Sequence, residues 1–229
     1  MCPPVLKSYV LETYDEMAEG VEERRQVPWN DVLEFEKTLP PHQTVLDMGC
    51  GTGRNASHFS RAGHHVIGLD FSRKLLERAR RRLVITAAGI PVKLVLADMS
   101  ELPLKDASVD ACIYIAALHH LPTAEERLSN LQEIRRCLRP GGRILVSAWA
   151  LEQKRFEKAI RAAGQRTGES GDIMVQIKTR NGKSIQRFYH LFSSGELEGL
   201  VRVSGLDLIR CFKSHDNYFA VAARPHDAR

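Results

Sequence analysis

The residues best suited to chemistry lie in a few short stretches. Asp47-Met48-Gly49-Cys50-Gly51-Thr52-Gly53 follows an apolar run and opens a helical pattern. Glycines at such a strand-to-helix turn let the backbone bend tightly and approach a ligand at the helix N-terminus. A dinucleotide fingerprint would read Gly-x-Gly-x-x-Gly, but here the third glycine comes one residue early and Arg54 takes the expected place. That spacing argues against a pyrophosphate cofactor. Asp70 closes the next apolar run, 17 residues after Gly53, where a carboxylate can accept hydrogen bonds from both ribose hydroxyls of a nucleoside. Asp98 follows the third run, suited to accept from an adenine amine, with Met99 beside it for apolar contact. A glycine turn alone is consistent with tight strand-to-helix packing. The two carboxylates after the next two runs move the reading to nucleoside binding.

These residues need a frame that brings strand ends together. Apolar runs of strand length occur at 44–47, 65–70, 92–96, 109–116 and 143–149. Between them lie helices. One has Ser72 as N-cap and Leu75, Leu76, Ala79 and Leu83 on one face; another opens with a Thr123-Ala-Glu-Glu126 capping box and carries Leu128, Leu131, Ile134 and Leu138 until Pro140-Gly141-Gly142 stops it. Strands alternating with helices make a parallel sheet covered on both faces, a doubly wound α/β core. After Trp149 come a helix over 151–163, a polar loop at 164–171 and a hairpin pattern flanking Arg180-Asn181-Gly182, where Asn-Gly favours a tight turn. A helix over 194–203 and apolar runs at 206–212 and 218–223 complete the sheet. The organisation expected is a helical segment at 1–43, a core domain over 44–224 with a loop and hairpin inserted at about 164–190, and a tail at 225–229.

Composition narrows the class. The 229 residues are 43% hydrophobic and carry a net charge of +5, with five cysteines at 2, 50, 112, 137 and 211 and no Cys-x-x-Cys pair. Neither a disulfide framework nor a zinc ribbon is suggested, and no signal peptide or membrane-spanning run is evident, so a cytoplasmic protein is expected. The charge is uneven. Residues 1–43 hold 4 basic and 9 acidic side chains, 44–150 hold 15 and 10, and 151–224 hold 13 and 8, so an acidic leader precedes a positive body suited to an anionic partner.

The glycine loop resembles that of the class I S-adenosylmethionine-dependent methyltransferases, whose Asp-x-Gly-x-Gly-x-Gly pattern is matched by Asp47, Gly49, Gly51 and Gly53. The resemblance implies a Rossmann-like seven-stranded sheet with an antiparallel last strand and S-adenosyl-L-methionine as cofactor, contacted by these residues with Asp70, Asp98, Met99 and Ile115. Methyl transfer is an in-line displacement, in which the protein aligns the nucleophile and excludes water. The Asn/Asp-Pro-Pro-Tyr/Phe stretch of amino-group methylases is missing after the fourth run, and Cys112, inside an apolar run, reads as core rather than nucleophile. A carboxylate acceptor is already ionised near neutral pH and needs no general base.

A narrower resemblance is carried by Tyr14-Asp15, Arg25-Gln-Val-Pro28-Trp29, Ile115-Ala-Ala-Leu-His119-His120, Ser147-Ala-Trp149-Ala-Leu-Glu152-Gln153, Arg187-Phe-Tyr189-His190-Leu-Phe192 and Gly195-Glu196-Leu197. Together these resemble the tRNA wobble-uridine carboxymethyl methyltransferases, which convert 5-carboxymethyluridine to its methyl ester. Two departures stand out: Asn217-Tyr218-Phe219 where the family has Asn-Trp-Tyr, and Asn55 where a Tyr often follows the glycine loop. The resemblance implies a tRNA anticodon substrate and a small zinc-binding activator protein on an exposed sheet edge. It assigns Arg25 and His119 to catalysis, and Arg25, His119, His120, Trp149, Arg187 and Tyr189 to the acceptor. Of the histidines, His119 is favoured for the substrate; Trp149 is expected to stack an unpaired base, and Arg187 and Tyr189, on one hairpin face, to grip the anticodon backbone. No metal is expected. The basic run at 73–82 reads first as a solvated helix face. Rival readings are a methyltransferase of a small carboxylate or other metabolite, and a non-catalytic tRNA- or cofactor-binding regulator.

Overall fold

The computed structural model describes residues 27–85, 89–163, 169–178, 182, 184–193 and 195–226. Its elements run α1 (Asn30–Lys37), β1 (Thr44–Met48), α2 (Arg54–Arg61), β2 (His65–Asp70), α3 (Arg73–Ile85), β3 (Lys93–Leu96), β4 (Val109–Ile115), α4 (Ala124–Cys137), β5 (Leu138–Trp149), α5 (Glu157–Ala163), β6 (Asp172–Lys178), β7 (Ser184–His190), α6 (Glu196–Val203), β8 (Asp207–Ser214) and β9 (Asn217–Ala223). Seven strands form one sheet in the order β3-β2-β1-β4-β5-β9-β8. Strands β1 to β5 are parallel, and β9 runs antiparallel to both β5 and β8. The order reverses between β1 and β4, the crevice where doubly wound sheets bind ligands at their carboxyl ends.

Two buried layers flank this sheet. One centres on Leu46, Met48, Cys112, Tyr114, Leu131 and Ile134; the other joins Val32 and Phe35 of α1 to Phe59, Ile113 and Phe219. Cys112 is fully buried in β4, and burial pushes its thiol well above the usual range, which suits a core residue.

Helix starts follow the capping residues. The Ser72 hydroxyl accepts from the Leu75 amide at 3.2 Å, and Thr123 Oγ1 accepts from the Glu126 amide at 3.2 Å. The end of α4 differs from expectation. It stops at Cys137, and the chain is already extended at Leu138 (ψ 139°), so Pro140-Gly141-Gly142 lies inside β5. Pairing with β4 supplies the reason: Leu138 lies opposite Val109, and an irregularity in register before Ala111↔Arg143 accommodates the Pro-Gly-Gly segment.

Strands β6 and β7 make a separate hairpin, paired from Asp172↔His190 to Lys178↔Ser184. Asn181 lies outside the described residues, while Gly182 is left-handed at φ 76°. The hairpin's base is tied to the end of β5, since the Phe192 amide donates to Trp149 O and the Leu151 amide to Phe192 O, each at 2.8 Å. Tyr14, Asp15, Arg25 and Cys2 also lie outside the described residues.

Candidate active site

The carboxyl ends of β1 to β4 gather one half of the site. Gly49, Gly51 and Gly53 are all left-handed, at φ 64°, 55° and 75°. Their surroundings differ. A Cβ on Gly49 would lie 2.8 Å from the Ala117 Cβ and one on Gly53 3.2 Å from the Ala79 Cβ, whereas one on Gly51 would meet nothing within 4 Å. Gly49 and Gly53 thus let the loop pack against its neighbours, and Gly51 faces open space.

Asp70 braces the loop. Its Oδ2 accepts from the Gly51 amide at 2.8 Å and its Oδ1 from the Ser72 amide at 2.9 Å, so one carboxylate joins the glycine turn to the start of α3. Asp47 is buried at the foot of the turn, where Oδ2 accepts from the Ala56 amide at 3.0 Å. Burial raises its pKa to about 7, partly opposed by the Arg54 guanidinium and the Ala56 hydrogen bond. Asp98 is exposed beyond β3, with Oδ1 accepting from the Ser100 amide at 2.8 Å. Met99 and Ile115 are buried beside this crevice. Ala116, next after β4, has φ 56° and donates its amide to Ser147 Oγ at 3.0 Å. A non-glycine residue in that region is strained, and sequence carried no signal for it.

This arrangement fits S-adenosylmethionine. The space over Gly51 admits a ligand close to the backbone, and a carboxylate at the foot of the loop suits an electropositive ligand better than a pyrophosphate.

The other half is an aromatic and cationic cluster. His119 and His120 lie in a 3-10 turn, Leu118–His120, with rings 4.4 Å apart, and His119 Nδ1 accepts from the Trp149 amide at 3.3 Å. Trp149 stacks on Tyr189 at 4.4 Å and 20°. Arg187 places Nη2 2.9 Å from His120 Nε2 and its guanidinium carbon 4.9 Å from the Tyr189 ring centre. Because guanidinium can only donate, His120 Nε2 accepts and the ring proton sits on Nδ1. Burial first, then the nearby Arg187 charge, drives the His120 pKa well below its usual value, so this histidine is neutral.

The cluster places the residues expected at the acceptor as follows. Arg187 and Tyr189 do share a hairpin face, but that face is turned inward: Arg187 is 8% exposed and Tyr189 3%. The hairpin folds over the histidine turn, so these side chains pack against it instead of lying open on the surface. Trp149 is half-buried and already stacked on Tyr189 and, at 5.3 Å, on Phe156. His119 is fully buried against the Trp149 backbone, while His120 is the histidine that meets Arg187. Arg25 lies outside the described residues.

Residues with no assigned role hold the hairpin in place. His190, 1% exposed, bonds Asp172 at 2.7 Å and Glu196 at 2.6 Å, joining β6, β7 and α6. Burial alone would lower its pKa, but the two carboxylates outweigh that and raise it. Arg127, also 1% exposed, pairs with Glu169 and donates to Leu121 O at 3.0 Å. In the sequence His190 stands out only within the stretch Arg187-Phe-Tyr189-His190-Leu-Phe192, and Arg127 carries no signal of its own.

Among the described residues, no His, Cys, Asp and Glu cluster is arranged to hold a metal ion, and no helix is long and apolar enough to cross a membrane.

The sheet order, the antiparallel β9 and the glycine crevice are those of the class I methyltransferase fold. Comparisons with known proteins agree. Residues 46–146 match the family described as methyltransferase domain. A solved S-adenosylmethionine-dependent methyltransferase of Methanosarcina mazei superposes with a TM-score of 0.77 at 18% identity, covering 88% of this chain and all of that one. Residues 46–146 are thus a methyltransferase domain, and the described chain has the fold of a solved S-adenosylmethionine-dependent methyltransferase. Among its homologues, a Schizosaccharomyces pombe protein named tRNA (carboxymethyluridine(34)-5-O)-methyltransferase is 29% identical over 94% of this chain and 96% of its own length. A Macaca fascicularis protein of the same name, ALKBH8, is 37% identical over 65% of this chain; the match spans only 21% of that longer protein.

Proposed function

We propose that this protein uses S-adenosylmethionine to methylate the carboxylate of 5-carboxymethyluridine at the wobble position of tRNA, forming the methyl ester. The observation that carries the reading is the buried Arg187–His120 pair beside Tyr189 and Trp149, next to a glycine crevice suited to the cofactor. The names of the homologues support the same substrate.

When bound, S-adenosylmethionine supplies an electrophilic methyl group. The chain's residues do the rest. Asp70 and the glycine loop would hold the cofactor's nucleoside end, Asp98 would accept from the adenine amine and Met99 and Ile115 would supply apolar contact, while Asp47 lies below the loop. Arg187 pairs with the acceptor carboxylate, as a guanidinium beside a neutral histidine can do without losing charge. His120 orients Arg187 through its unprotonated Nε2, and His119 and Trp149 fix the turn that carries His120. The nucleophile is already ionised, so no residue needs to remove a proton; alignment and exclusion of water by the aromatic wall remain. Arg25 is assigned to the acceptor by resemblance.

The finer partner assignment is also our inference. A small zinc-binding activator would add to one of the two edge strands, β3 or β8, where Leu96 and Ile209 are exposed apolar side chains. A cytoplasmic location and a single core domain over 44–224 accompany this reading.

Mass spectrometry of nucleosides from tRNA bearing 5-carboxymethyluridine, incubated with the protein, its activator and S-adenosylmethionine, tests the proposal. Appearance of the methyl ester is expected. Methylation of a small acid but never of tRNA would overturn it.

A further inference from the structure

One exposed cation near the acceptor cluster is held more rigidly than a surface arginine needs to be. Arg155 follows β5 in a 3-10 turn, Lys154–Phe156, and its side chain is exposed. Its guanidinium carbon lies 4.5 Å from the Trp149 ring centre and 4.6 Å from that of Phe156. Its Nε donates to Gln153 Oε1 at 2.7 Å, and Gln153, itself 2% exposed, donates Nε2 to Asp216 O at 2.8 Å. The planar group is therefore laid on aromatic carbon and braced at one edge. Among the described residues no carboxylate forms an ion pair with it.

Stacking and the Nε brace leave the two terminal nitrogens as the groups available to an anion. A guanidinium so fixed loses little side-chain freedom on binding and presents a fork matched to two oxygens of a phosphate. Its position says which phosphate. Contacts lead from Arg155 through Trp149 to Tyr189, and Tyr189 lies against both His120 and Arg187. A polynucleotide whose modified nucleoside enters at Arg187 must leave a phosphodiester at the rim of the pocket.

We propose that Arg155 is a substrate-contacting, specificity-determining residue that binds the phosphodiester flanking the acceptor nucleoside, so that the site favours RNA over free nucleoside. This rests on the acceptor reading above and adds a second, exposed cation to the buried one.

The test compares methyl transfer to tRNA and to free 5-carboxymethyluridine, using the full chain with its activator. Arg155→Ala is expected to lower kcat/KM on tRNA about tenfold while leaving the nucleoside reaction unchanged. The slope of log affinity for tRNA against log salt should become shallower by about 0.7, as for one single-strand phosphate contact. Arg155→Lys, which keeps the charge but not the flat, braced fork, should recover only part of the loss. Equal losses on both substrates would mean a packing role for Trp149 and would overturn the proposal, as would no loss on either or full recovery by lysine. If wild-type protein methylates neither substrate, the acceptor reading fails by itself. Arg155 is then decided by fluorescence anisotropy with an anticodon stem-loop RNA, where weaker binding by Arg155→Ala supports the contact and unchanged binding overturns it.

Discussion

The two halves of the site are built differently. The cofactor half is backbone: three left-handed glycines between β1 and α2, braced by a carboxylate at the end of β2, with each residue following a strand of one sheet. The half proposed for the acceptor is side chain: a histidine turn after β4, a tryptophan at the end of β5 and an arginine and tyrosine from a hairpin outside the main sheet. A backbone cradle is exacting about residue type at a few positions and indifferent to distant ones. A side-chain cluster depends on whatever docks its most distant member. Here that is His190 between two carboxylates and Arg127 against Glu169, none of which faces the proposed substrate.

Substitutions can break this contrast on either side. The largest effect is expected at Gly49, where any side chain meets both a left-handed backbone and the Ala117 Cβ. Gly49→Val should abolish measurable S-adenosylmethionine binding in calorimetry and lower unfolding free energy by about 1–3 kcal/mol. Retained cofactor affinity would show that the loop tolerates rearrangement. Next in size, Arg187→Ala should cut methyl transfer to tRNA by about 100-fold or more while cofactor affinity stays within about twofold, because a charge-assisted bond to the acceptor is lost and the glycine crevice is untouched. A parallel fall in cofactor affinity would mean that the halves are not independent.

The clamp gives a smaller, pH-dependent effect. His190 has a raised pKa in the folded protein, so its contribution is fully present below the unfolded value of about 6.5 and is lost as pH rises through the raised folded value. Hydrogen exchange at β6 and β7 amides should therefore show looser docking, beyond the intrinsic rate increase, as pH climbs through that window. His190→Gln should remove that dependence and leave the amides of β1 and β2 protected as before.

The smallest effect concerns Asp47. With a folded pKa of about 7 against an ordinary 3.8, this group favours folding fully below about 3.8 and loses that contribution as pH rises through 7. A cationic ligand favours the ionised form, so S-adenosylmethionine affinity should rise a few-fold from pH 6 to 8, with proton release seen as a buffer-dependent binding enthalpy. Asp47→Asn should flatten both; an unchanged profile would place the titrating group elsewhere.

The same contrast separates what was legible in the chain from what was not. Ser72 and Thr123 announce helix starts because a capping bond is made within three residues, and the glycine loop announces itself because left-handed backbone restricts residue type. The end of α4 was misread at Pro140-Gly141-Gly142 because strand pairing with β4, not local propensity, decides where the helix yields to β5. Ala116 gave no sign of its positive φ, since nothing in an alanine advertises a conformation imposed by its surroundings.

By itself the sequence determined the alternation of strands and helices and the glycine crevice with Asp70 and Asp98 at or after the ends of the following strands, while family resemblance supplied the residues proposed for the acceptor half. Those features depend on periodicity, turn chemistry and residue type, which act over a few positions. Only the tertiary structure decided that Arg187 and Tyr189 face inward, that His120 is neutral and meets Arg187, that His119 and Trp149 are packing partners, and that Arg155 is left exposed on the Trp149 ring. Each of those depends on which side of the hairpin is covered, and that follows from long-range burial and the charge pairs at His190 and Arg127 rather than from any pattern within the hairpin.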